Sequence, residues 1–78
     1  MPTVLRVEGF SFRIYFNDHS PPHVHALKAE GEAKISIEND IPYLLSADRM
    51  RRKDIRQALI IVGRHRAKLL EYWEEIHG

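Results

Sequence analysis

Phe10-Ser11-Phe12-Arg13-Ile14-Tyr15-Phe16 decides how the chain is read. Large apolar side chains occupy every second position, with Ser11, Arg13 and Tyr15 between them. Alternation of period two is what a half-buried strand requires, because successive side chains leave opposite faces. Phe10, Phe12 and Phe16 are therefore expected in the core. Working backwards, Thr3–Glu8 is rich in β-branched residues and predicts a strand of its own, with Gly9 as the turn. Working forwards, Asn17–Pro22 is a loop, since Asn, Asp and Ser favour turns and two prolines cannot continue a ladder. His23–Ala29 reads as a third strand and Glu30-Gly31 as a turn. Glu32–Glu38 alternates again, with Ala33, Ile35 and Ile37 inward. Tyr43–Ala47 reads either as a short fifth strand or as an irregular connection.

The second half changes period. Ile55, Leu59, Val62, Leu69, Trp73 and Ile76 recur at three- and four-residue spacing, which predicts a helix from about Arg51 or Arg52 to Ile76. Such a helix spans roughly 37 Å, more than the width of a small sheet, so it is expected to project or to bend at Gly63. The expected fold is α+β: a four-stranded antiparallel meander with one long C-terminal helix packed on one face. Residues 1–78 form one domain in this reading, with sheet and loops over 1–47 and a basic connection and helix over 48–78.

Seventy-eight residues support only a small core, and a partner or a second copy often supplies missing burial at this size. The chain has no cysteine, so disulfides and thiolate metal sites are excluded. No apolar run approaches the roughly 20 residues of a membrane span. The first residues lack the pattern of a secretory signal, and a cytoplasmic location is expected. The net charge of +1 is a cancellation. Residues 48–68 carry eight Lys or Arg against two Asp, between two acidic flanks. Arg51, Arg52, Lys53 and Arg56 crowd the predicted helix start, where the macrodipole favours acids. That pattern suits either an anion or acidic partner, or a simple solvated face.

His19-Ser20-Pro21-Pro22-His23-Val24-His25 is the segment that looks like chemistry. On a strand, His23 and His25 share a face. The prolines hold His19 nearby, and Asp18 is placed to orient an imidazole by accepting its second N–H. His65 sits beside the helical apolar stripe and is a candidate to approach the strand histidines. Strand three offers two candidate inward faces, Val24 with Ala26, or His23 with His25, Leu27 and Ala29. The second is larger, which turns the histidines toward the helix edge. Three readings stay open: ordinary hydrogen-bonded histidines, metal-free acid–base chemistry by His23, His25 and His65, or a divalent metal held by His19, His23 and His25. The second is preferred over the third, so no cofactor is expected, with a divalent metal as the alternative.

The opening Met-Pro-Thr-Val-Leu-Arg, the Asn17–His25 segment, Gly31-Glu32-Ala33-Lys34, and the helix with His65-Arg66, Leu69-Leu70 and Trp73 together resemble the bacterial domain-of-unknown-function 4160 family. The resemblance implies a small stand-alone protein, often encoded beside a second small protein in a toxin–antitoxin-like arrangement. It implies a cognate protein partner and no established activity. Where the family's helix start suggests a Ser-type cap and acidic residues, this chain has Arg51-Arg52-Lys53. The expected function is a toxin-like protein that binds or cleaves RNA. His23 or His25 would take the 2′-hydroxyl proton and His65 would protonate the leaving oxygen. Arg13, Arg51, Arg52, Lys53 and Arg56 would neutralise phosphate. A non-catalytic protein- or nucleic-acid-binding module is the alternative, and a His-based metal-binding protein a third.

Overall fold

A computed structural model describes residues 3–78. Met1 and Pro2, part of the opening stretch, lie outside the described residues. The fold is α+β. Strands β1 (Thr3–Val7), β2 (Phe10–Arg13), β3 (His23–Lys28), β4 (Gly31–Ser36) and β5 (Tyr43–Asp48) precede helices α1 (Arg52–Arg64) and α2 (Arg66–His77). The strands form one antiparallel sheet in the order β1-β2-β3-β4-β5, a pure meander. Glu8 and Gly9 both take positive φ, 52° and 86°, giving the tight turn whose twist suits a two-residue hairpin.

One sheet face is apolar. Phe12, Ala26 and Ala33 stand in register across β2, β3 and β4, and Val24 pairs with Ile35. These residues, with Phe10, Ile14 and Ile37, form one buried cluster with Ala58, Ile61 and Val62 of α1 and Leu69 and Trp73 of α2. The inward face of β3 is therefore Val24 with Ala26, not the histidine face. The reason is register: cross-strand neighbours share a face, and Ala26 stands beside Phe12 and Ala33.

Three other expectations are corrected. The sheet has five strands rather than four, because Tyr43–Asp48 pairs with β4. Phe16 is 73% exposed, because β2 ends at Arg13 and a turn over 15–18 carries the chain off the apolar face. The single helix is two, and the break falls at His65 instead of Gly63. A straight helix over 52–77 would run about 39 Å, whereas the molecule's longest extent is 33 Å. The chain resolves the mismatch by leaving helical geometry at His65 (φ −111°, ψ 14°). Arg66 then anchors the start of α2 by donating to the Ile37 and Glu38 carbonyls. The bend keeps both Leu69 and Trp73 buried.

At the opposite end, Lys28 pairs with Asp54 at 3.2 Å and fixes the first turn of α1 to the end of β3. Among the described residues, no side chain caps that helix at Arg51. Gly31 opens β4 where the Arg49 carbonyl passes so close that a Cβ would collide with it. Among the described residues, no helix is long and apolar enough to cross a membrane.

Candidate functional site

The second sheet face is polar. Arg13 of β2, His25 of β3, Lys34 of β4 and Ser46 of β5 stand in one cross-strand row, and Ser36 and Tyr43 stand beside His23 in the next. His23 and His25 are nevertheless only 6% and 8% exposed. They are covered by the loop that follows β2. The Tyr15 N–H donates to Asp18 Oδ2 at 2.9 Å, and the Asp18 N–H donates to the Tyr15 carbonyl at 3.1 Å. This reciprocal turn folds the loop back and brings the Asp18 carboxylate onto the two imidazoles.

Each ring nitrogen has a defined neighbour. His23 Nδ1 lies 2.9 Å from the Pro21 carbonyl, and His25 Nδ1 lies 2.8 Å from Glu32 Oε2. Both neighbours accept only, the Glu32 group as a carboxylate, so both Nδ1 atoms must donate. In neutral imidazoles this leaves an Nε2 lone pair on each ring. Both Nε2 atoms lie close to one acceptor, Asp18 Oδ1, at 3.5 Å for His23 and 3.1 Å for His25. Two lone pairs against a carboxylate oxygen repel. The arrangement is favourable only if a cation lies between the three atoms or the imidazoles carry second protons.

The geometry suits a cation. One ligand atom from each of Asp18, His23 and His25 lies within 4.8 Å of the other two. Adjacent ligands on a tetrahedral ion with bonds near 2.0–2.1 Å stand roughly 3.3–3.4 Å apart, inside the range of the two contacts to Asp18. The Nδ1–H bonds to a carbonyl and a carboxylate are the outer contacts that fix metal-binding imidazoles. Three protein ligands would leave a fourth position open. Burial works to raise the Asp18 carboxyl pKa. The Tyr15 N–H, the His25 hydrogen bond and the electrostatic attraction of His25 and His23 outweigh it and hold the pKa below the usual carboxylate value. Asp18 is thus an anion.

Beside this group is a cleft of about 270 Å³, lined among others by Asp18, His19, His23, Lys34 and Leu45. Aromatic rings continue from the site. Tyr15 meets His25 edge-on at 4.7 Å, His23 lies 5.2 Å from His25, Trp73 lies 5.4 Å from His23, and His77 lies 4.1 Å from Trp73.

Among the residues singled out from sequence, Asp18, His23 and His25 come together. His19 is exposed on the cleft wall and outside the convergent group. His65 is at the junction of α1 and α2 and is not one of the group either. Arg13 flanks His25 on β2, with its Nε buried and without a hydrogen-bond partner among the described residues. Arg51, Arg52, Lys53 and Arg56 are all exposed at the start of α1. The Lys28–Asp54 pair places that start at the far end of β3, about 17 Å along the strand from His23. The structure therefore does not bring the basic patch to the histidines. Glu32, Lys34 and Trp73 were not singled out as site residues. The hairpin register gives the signal for two of them: with His25 opposite Lys34, Glu32 is the diagonal neighbour of His25.

A family model described as "Domain of unknown function (DUF4160)" matches residues 9–74. Neither a curated protein nor a solved structure matches the chain.

Proposed function

The chain belongs to the DUF4160 family, and on that premise we propose that Asp18, His23 and His25 form a divalent-metal centre acting on an anionic, phosphodiester-type substrate. One observation carries the reading: two buried imidazoles present Nε2 to the same carboxylate oxygen while both Nδ1–H groups are engaged elsewhere. Nitrogen and oxygen ligands in this combination suit zinc and related divalent ions. A bound ion would lower the pKa of a water in the open position and so supply a nucleophile. Lys34 on the cleft wall and Arg13 beside His25 supply positive charge for the substrate. RNA is the substrate class this reading takes, and the toxin-like role with a small protein partner in the cytoplasm belongs to the same proposal. His65 and the α1 basic patch have no part in the chemistry.

The test is metal content and metal-dependent cleavage. Purified protein is expected to bind one zinc or manganese ion per chain and to cleave RNA only when loaded. Asp18→Ala and His25→Ala should abolish both. A chain that takes up no stoichiometric metal overturns the reading.

A second reading rests on His25 alone, whose two ring nitrogens each face a carboxylate, Asp18 and Glu32. An imidazole held between two carboxylates can take part in acid–base chemistry without any metal. Cleavage that survives chelation and is lost in His25→Ala would favour it over the metal centre.

A further inference from the structure

Strand β5 is an edge strand, and all six of its residues are exposed. Tyr43, Leu44 and Leu45 are 42%, 39% and 41% exposed, and Ile41 just before them is 79% exposed. Ile60 of α1 is also exposed, three residues before Gly63, where a Cβ would rest against the Pro42 ring. An unpaired edge with this much apolar surface is a template for another strand.

Two features of the edge specify what that strand is. The first is its face pattern. Tyr43 pairs with Ser36, Leu44 with Ile35, Ser46 with Lys34, Ala47 with Ala33 and Asp48 with Glu32. The register shift leaves Leu45 as the extra residue, and Leu45 lines the polar-face cleft beside Lys34. From 43 to 48 the faces therefore run polar, core, polar, polar, core, polar, which reads the same in both directions. A regular strand of six residues cannot do this, because strict alternation gives its ends opposite faces. The second feature is charge. Glu38 and Asp40 precede the strand, and Arg49, Arg51, Arg52 and Lys53 follow it. Antiparallel self-pairing sets the acidic flank of one copy beside the basic flank of the other, while parallel pairing would oppose like charges.

We propose that β5 pairs antiparallel with β5 of a second copy of this chain, about a two-fold axis between Leu45 and Ser46. Leu44 then stands opposite the other copy's Ala47 on the core face, and Tyr43 opposite Asp48 on the polar face. The two sheets become one continuous sheet of ten strands. A two-fold axis normal to the sheet puts both Asp18–His23–His25 groups on the same side, each beside its own Leu45 at the junction. The basic patch on α1 gains a role here that it lacks at the histidines. The inference is independent of the metal centre.

The test is sedimentation equilibrium of the full chain, with circular dichroism confirming that each variant is folded. Wild type is expected to sediment at twice the 9.2 kDa of one chain. Leu45→Lys should weaken dimerisation by about tenfold or more, since the symmetry introduces each added charge twice. Arg51→Glu, on an exposed position that leaves the core intact, should weaken it several-fold, and adding Asp40→Arg should restore it. A wild-type chain still monomeric at about 1 mM overturns the proposal. So does a dimer that both Leu45→Lys and Arg51→Glu leave unchanged. Capture of a different, acidic protein by a monomeric chain would assign the edge to that partner instead.

Discussion

Glu32 Oε2 accepts the Nδ1–H of His25 at 2.8 Å, from a diagonal position on the neighbouring strand. The bond fixes the tautomer of a ring whose other nitrogen faces Asp18. Glu32 itself is half open to solvent, so it can be replaced without disturbing the core. Glu32→Ala is expected to reduce metal affinity about 10–100-fold, the usual effect of losing an outer-shell partner. Glu32→Gln, whose amide oxygen still accepts, should fall between the two. Isothermal titration with zinc measures the series; equal affinities in all three proteins would refute the role.

Metal should also stabilise the fold, because the ligands come from a loop and a strand that only the native chain brings together. At a free-ion concentration 100 times Kd the gain is about 2.7 kcal/mol. For a chain of this size that raises Tm by roughly 11–22 °C. Thermal melts with zinc and with chelator should differ by this amount in wild type and coincide in Asp18→Ala. A zinc-induced shift that persists in Asp18→Ala would place the ion elsewhere.

Trp73 is the only tryptophan, and its ring lies 5.4 Å from that of His23. Metal binding at His23 Nε2 changes the charge and polarity beside the indole. The intrinsic emission is therefore expected to titrate with added zinc at one equivalent per chain. His23→Ala should abolish the response. His65→Ala, at the helix junction, should leave both the response and its midpoint within about twofold of wild type, well inside a difference of 1 kcal/mol.

Gly31 has no room for a side chain beside the Arg49 carbonyl. The backbone on both sides is fixed, one by the β3–β4 ladder and the other by the end of β5. Gly31→Ala is expected to cost about 1–3 kcal/mol, the range for forced overpacking. Urea denaturation measures it, and an unchanged midpoint would show that the Arg49 segment moves freely.

How far these features could be read from sequence depends on periodicity. Phe10 and Phe12, and Ala33, Ile35 and Ile37, alternate cleanly and lie buried as expected. The apolar helical stripe was equally legible, and its Ala58, Val62, Leu69 and Trp73 are in the core. Tyr43–Ala47 was ambiguous because the extra residue Leu45 breaks the alternation that marks a strand. The bend at His65 has no proline to announce it; it follows from the length of the sheet and from Arg66 reaching the Ile37 carbonyl. Asp18 was legible as a partner for a histidine. That one carboxylate oxygen serves both rings was not, since it depends on a reciprocal backbone turn with Tyr15.

The meander has a consequence for the order of assembly. Every strand pairs with its neighbour in sequence, so each ladder closes a short loop and loses little chain entropy in doing so. Contacts this local favour rapid folding of the sheet. The indole against His23 comes instead from 50 positions downstream, beyond α1 and the bend at His65. A signal from Trp73 is therefore expected to report the completed molecule rather than the early sheet.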